Sequence, residues 1–234
     1  MGIRIGVGIL AALMPASGFA FTNVLITSFE PFANRSKNLS NDVAKAVEFY
    51  FSSHPEKQVL INRCEFPVSF EKIQAAVVQC LAQQASKPDF ILSLGEGYCD
   101  LRIETVAHNT REGGEKILPS GPDTLNYSFP PARLYCALPT EQRKNIVISQ
   151  DAGTYLCNYL SFYLLEKLKS STVPFSFMHV PPESCGTSGP SVAESSQWLA
   201  RMIEFNFPAA GALSAQCISE FAAKQIQRAG VINK

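Results

Sequence analysis

Pro88-Asp89-Phe90-Ile91-Leu92-Ser93-Leu94-Gly95 is the stretch that decides the fold. Proline opens it, an almost wholly apolar run follows, and glycine ends it, which is the pattern of a strand buried on both faces. Just before it, Phe70 to Ala85 reads as a helix with Ile73, Ala76, Val77, Cys80 and Leu81 along one side. Working back, Gln58 to Cys64 is a strand, Asn38 to Phe51 a helix with Val43, Ala46, Val47 and Tyr50 on one face, and Val24-Leu25-Ile26-Thr27 a strand. Working forward, Ile103 to Ala107 reads as a strand and Asn109 to Arg133 as a long stretch rich in glycine, proline and polar residues. A stretch of that kind inside a compact domain is functional or mobile. Then come a strand over Asn145 to Ser149, a helix over Thr154 to Lys169 and a strand over Phe175 to Val180. A loop from Pro181 to Pro190 leads to helices over Ser191 to Phe205 and Ser214 to Arg228. Strands alternating with helices imply one α/β/α sandwich around an open, twisted, mostly parallel sheet. Ligands of such sheets bind at the carboxyl ends of the strands.

The chain has 234 residues, 46% of them hydrophobic and 17% charged, enough apolar material for a real core and too much for a disordered chain. Twenty basic residues balance twenty acidic ones, which argues against a dedicated nucleic-acid binder. Residues 1–20 carry Arg4, an uncharged run from Ile5 to Met14, and Gly18 and Ala20 at a small-x-small end. That is the layout of a secretory signal peptide, too short to span a bilayer. Cleavage after Ala20 leaves residues 21–234 as a single exported domain, periplasmic or secreted, with no membrane attachment once the signal is removed.

Three residues carry candidate chemistry. In Ser149-Gln150-Asp151-Ala152-Gly153-Thr154-Tyr155-Leu156-Cys157-Asn158 a strand ends, a turn follows, and Cys157 falls in the first turn of a helix. The free N–H groups and dipole there favour thiolate, although a buried structural cysteine fits the segment as well. His179 ends a strand on the same sheet edge, where it could serve the thiol as a base or sit satisfied in the core. Glu104 lies between apolar neighbours on a strand, either orienting the imidazole or facing water from an edge. Gly95-Glu96-Gly97 begins like a dinucleotide loop but lacks a third glycine. No cofactor or metal is expected.

Five ordered segments then resemble the pyroglutamyl peptidase I family of cysteine peptidases. Thr27-Ser28-Phe29-Glu30-Pro31-Phe32, followed by Asn38, is similar to the family's TGFxPFG opening, and Phe66-Pro67-Val68-Ser69-Phe70 to its LPVxF segment. Glu104-Thr105-Val106-Ala107-His108-Asn109, Asp151 to Asn158 and Phe177-Met178-His179-Val180-Pro181 resemble the segments of the catalytic glutamate, nucleophile and histidine. The resemblance implies a phosphorylase/hydrolase-like sandwich with Cys157 as nucleophile, His179 as general base and Glu104 orienting it. It also implies Phe29, Phe32 and Asn38 at the substrate, and peptides with a blocked pyroglutamyl N-terminus as partners. Bacterial members are often tetramers, so an oligomer is compatible with the family.

The sequence departs from the family's pattern at Ser28, at Ala33-Asn34 where glycines usually follow the second phenylalanine, and in a slightly shortened loop from Gly95 to Glu104. These changes leave two alternatives: a thiol hydrolase for another N-terminal acyl or lactam group, or a non-catalytic protein that binds a peptide end. The cysteine count is seven. If Cys157 stays reduced, Cys64, Cys80, Cys99, Cys136, Cys185 and Cys217 can form three bridges in an oxidising compartment. Cys99 and Cys185 sit in loops at the active-site edge and are expected to pair.

Overall fold

A computed structural model describes residues 21–229; the signal-peptide expectation for residues 1–20 lies outside them. The chain runs β1 (Thr22–Phe29), α1 (Leu39–Ser53), β2 (Val59–Phe66), α2 (Phe70–Ala82), β3 (Phe90–Glu96), β4 (Leu101–Glu104), β5 (Val106–His108) and β6 (Thr124–Asn126). It continues with α3 (Pro131–Cys136), α4 (Thr140–Arg143), β7 (Ile146–Ser149), α5 (Leu156–Leu168), β8 (Phe175–Val180), α6 (Val192–Asn206) and α7 (Ala215–Ala229). Six strands form one sheet in the order β2-β1-β3-β8-β4-β7. Every pair is parallel except β4 with β8, which is antiparallel.

The two-residue period of the strands divides the core into two layers. Val24, Ile26, Leu92, Leu94, Ile103, Met178 and Val180 face one way and pack with α1, α3, α6 and α7. Leu25, Phe29, Ile91, Phe175 and Phe177 face the other way and pack with α2 and α5. By the same alternation His179, two residues beyond Phe177, and Glu104, one beyond Ile103, belong to the α5 face. The periodicity that builds the core therefore also aims the histidine and the carboxylate at the head of α5.

The sequence reading needs one correction. Ile103 to Ala107 is not one strand: β4 stops at Glu104, and β5 leaves the main sheet to pair antiparallel with β6. Thr105 makes the change, its N–H and hydroxyl both donating to the Ser149 carbonyl at 2.8 Å. The 109–133 stretch accordingly contains an ordered hairpin arm. Asn109 is buried and holds it, donating to the Leu118 carbonyl and accepting from the Leu118 N–H, both at 2.8 Å.

Three disulfides form, Cys64–Cys80, Cys99–Cys185 and Cys136–Cys217, and Cys157 is free. The expected Cys99–Cys185 pair is thus present, joining the loop after β3 to the loop after β8. No helix among the described residues is long and apolar enough to cross a membrane.

Candidate active site

The site is built where β1, β3, β4 and β8 end against the start of α5. Gly153 opens that helix's approach: its φ of +78° is one that side chains rarely allow, and its N–H donates to the Asp151 carboxylate at 2.8 Å. Tyr155 is the N-cap and no side chain caps the first turn. The backbone N–H groups around Cys157 therefore point outward beside the sulfur. Asn158, fully buried, fixes this turn sideways. Its amide nitrogen donates to the His108 and Thr110 carbonyls, and its oxygen accepts from the His108 N–H, each at 2.8 Å. The strand that follows Glu104 is thereby tied to the helix that carries Cys157.

His179 Nδ1 hydrogen-bonds Glu104 Oε1 at 2.8 Å, with His179 3% exposed and Glu104 fully buried. The edge-strand alternative for Glu104 does not hold, because β4 lies inside the sheet between β8 and β7. Glu104 Oε2 is buried with no hydrogen-bond partner, so the carboxylate is committed to the imidazole on one oxygen alone. Burial pushes the His179 pKa down, but attraction to the Cys157 sulfur and to Glu104 outweighs it and raises the value to about 10. The ring is oriented by Glu104 on one nitrogen, with the other left to face the sulfur.

Two glycines make this closeness sterically feasible, a role that their resemblance to a dinucleotide loop did not suggest. A Cβ on Gly95 would lie 2.7 Å from Cys157 Sγ, and one on Gly97 would lie 2.6 Å from the His179 ring.

Phe29, Phe32 and Asn38 come together with Val68, Glu96, Tyr155 and Leu156 around a pocket of about 50 Å³ that Cys157 also lines. All three sequence-expected substrate contacts thus reach the same cavity as the sulfur. Asn38, however, already serves the fold. Its oxygen accepts from the Ser40 N–H at 3.1 Å as the N-cap of α1, and its nitrogen donates to the Glu30 carbonyl at 3.2 Å. Glu96 is the unforeseen member of the wall. Its nearly buried carboxylate takes a two-point ion pair from Arg35 and the Leu39 N–H at 2.6 Å. Ala33 and Asn34 stand at φ of 52° and 60°, so the turn keeps a left-handed path without the expected glycines. Such a path costs about 1–2 kcal/mol per residue.

The family model for pyroglutamyl peptidase matches residues 22–191, a span that includes every residue of this site. The chain belongs to the pyroglutamyl peptidase family. It is a family of cysteine peptidases, and Cys157 is the one free cysteine among the described residues. Among pyroglutamyl peptidase relatives, the pyrrolidone-carboxylate peptidase of Vibrio vulnificus strain YJ016 is 31% identical over 182 residues, covering 70% of this chain and 82% of the relative. That of Clavibacter michiganensis subsp. michiganensis is 30% identical over 186 residues, covering 71% and 83%. The fold agrees with the solved pyroglutamyl peptidase I from Bacillus amyloliquefaciens, at a TM-score of 0.68 and 22% identity over 83% of this chain and 100% of that one. It agrees also with the pyrrolidone carboxyl peptidase of Thermococcus litoralis, at 0.62 and 25% over 78% and 91%.

Proposed function

We propose that this chain is an exported cysteine omega-peptidase that removes an N-terminal pyroglutamyl residue from peptides, with Cys157 as nucleophile, His179 as acid and base, and Glu104 as the residue that orients His179. The observation that carries the reading is the buried Glu104–His179 hydrogen bond beside a free Cys157 that lines the Phe29/Phe32 pocket. A lactam ring has no ammonium to pair, so an apolar wall of two phenylalanines with few polar groups suits it.

The chemistry begins as His179 takes the Cys157 thiol proton, leaving an imidazolium that Glu104 orients. Cys157 thiolate attacks the pyroglutamyl carbonyl, and the oxygen gains its negative charge next to the uncapped N–H groups of α5. The C–N bond breaks as the imidazolium gives its proton to the leaving nitrogen, which departs as an amine and leaves a thioester on Cys157. A water then adds to the thioester while neutral His179 takes its proton. Cleavage of the C–S bond releases free pyroglutamic acid and restores the thiolate–imidazolium pair.

Export rests on the signal-like residues 1–20 and is supported by three disulfides in a chain of this size. The retained Cys157, His179 and Glu104 weigh against a binding protein that has lost catalysis. The test is hydrolysis of a pyroglutamyl amide reporter beside its prolyl counterpart. Wild type should cleave the pyroglutamyl reporter selectively, and Cys157→Ser should lose about 10³-fold or more in rate while keeping its thermal midpoint. Undiminished turnover by Cys157→Ser would remove the nucleophile from this account, and better cleavage of another acyl amide would reassign the substrate.

A further inference from the structure

A second, much larger depression shares no lining residue with the phenylalanine pocket. It measures about 880 Å³ and is lined by Tyr98, Arg102, Val106, Asp151, Gly153 and Thr154 among others. Tyr98 is 43% exposed. Its neighbour Gly97 packs against the His179 ring, and its other neighbour, Cys99, is bonded to Cys185. The Tyr98 ring meets the His179 ring edge-on with centroids 6.1 Å apart. Beneath it, the Arg102 guanidinium lies 3.3 Å from the ring centroid. Arg102 is held in turn by Asp100, through Nε to Oδ1 at 2.5 Å and Nη2 to Oδ2 at 3.2 Å. It stands on β4 in register with His179 itself.

An aromatic side chain left in solvent but locked from below and from both sides has already given up its conformational freedom, so a ligand stacked on it loses little more. The position also has a chemical meaning. The proton given to the departing amine comes from His179, so the leaving part of the substrate must lie on the His179 side of the sulfur. Tyr98, whose ring meets the His179 ring, lines the larger depression and not the phenylalanine pocket.

We propose that Tyr98 is a specificity-determining residue that receives the side chain following the pyroglutamyl group, and that it favours peptides with a large apolar or aromatic residue there. This rests on the pyroglutamyl-peptidase reading and names the class of leaving group for that same site. The Asp100–Arg102 pair neutralises the cation beneath the ring, so the wall offers stacking and apolar contact and no net attraction for an acidic side chain.

The experiment compares kcat/KM for two pyroglutamyl tripeptides that differ only in phenylalanine or glycine after the pyroglutamyl residue. Wild type should prefer the phenylalanine peptide by about tenfold, one aromatic contact being worth roughly 1 kcal/mol or somewhat more. Tyr98→Ala should bring that ratio to near one, and Tyr98→Phe should keep it. Equal use of both peptides by wild type, or a ratio untouched in Tyr98→Ala, overturns the assignment while leaving pyroglutamyl hydrolysis standing. Failure of wild type to cleave either peptide overturns both readings.

Discussion

The two depressions near the Glu104–His179 pair are built on opposite principles. On one side the acyl pocket is narrow, about 50 Å³, and its walls are strand ends and the first turns of α1 and α5. Phe29 is 3% exposed there, and Gly95 leaves no room for even one methyl group. On the other side the cleft of about 880 Å³ has a half-exposed wall in Tyr98, carried by a loop that a disulfide and an ion pair hold in place. The narrow side takes Phe29 and Leu156 from the core; the wide side is fastened from outside. Changes on the first side should therefore destroy activity, and changes on the second should redistribute it among substrates.

The sharpest test of the narrow side is Gly95→Ala. The added carbon would meet Cys157 Sγ at 2.7 Å and the Phe177 ring at 2.9 Å, so the sulfur must move from its place. Misplacement on that scale costs about 10²-fold in rate, and kcat with the pyroglutamyl reporter should fall by at least that much for both tripeptides alike. A loss confined to one tripeptide would break the distinction between the two sides.

Comparable in size is the effect of the carboxylate on pH dependence. His179 has its pKa raised from 6.5 to about 10, so its imidazolium form is present at neutral pH and is lost as pH rises through about 10. Glu104→Gln keeps a hydrogen-bond acceptor but removes one of the two attractions that hold the proton. The alkaline limb of kcat/KM should move to lower pH, together with a rate loss of about 10²–10⁴-fold at neutral pH. An alkaline limb unmoved in Glu104→Gln would assign that limb to a different group.

The smallest effect on turnover separates the outer fastening from the core. Cys99–Cys185 and Cys136–Cys217 close loops of similar length, with sequence separations of 86 and 81. Replacing either pair by serine should cost about 2–4 kcal/mol of stability. Only the Cys99/Cys185 change should also lower the preference for the phenylalanine peptide, because only that bridge adjoins Tyr98. Equal selectivity in the two double variants would mean that the bridge does not brace the Tyr98 wall.

Much of the architecture was legible in the chain. Phe90 to Leu94 and Phe175 to Val180 are apolar enough to be strands covered on both faces, and the helices between strands carry one apolar stripe each. What was not legible falls where apolar pattern says nothing. β4 runs antiparallel to β8, and strand direction leaves no trace in composition. β5 continues β4 with only Thr105 between them, so the change of sheet is invisible in a run of similar residues. β6, α3 and α4 are each six residues or shorter, too short for a period to show. At the site, Cys157, His179 and Glu104 were legible as residue types in suitable segments. Asn158 and Gly97 were not, because their roles consist in what lies opposite them.

The sequence alone determined the alternation of strands and helices, the three residues offered as nucleophile, base and orienting carboxylate, and the presence of one cysteine beyond the pairs. These are local facts, carried by periodicity and by motifs a few residues long. Tertiary structure alone decided that Glu104 is buried against His179, that Gly95 and Gly97 leave space for the sulfur and the ring, and that Cys64 pairs with Cys80 and Cys136 with Cys217. Each of these depends on residues far apart in the chain meeting at one sheet edge. That meeting is set by strand order and direction, which no short stretch of sequence contains.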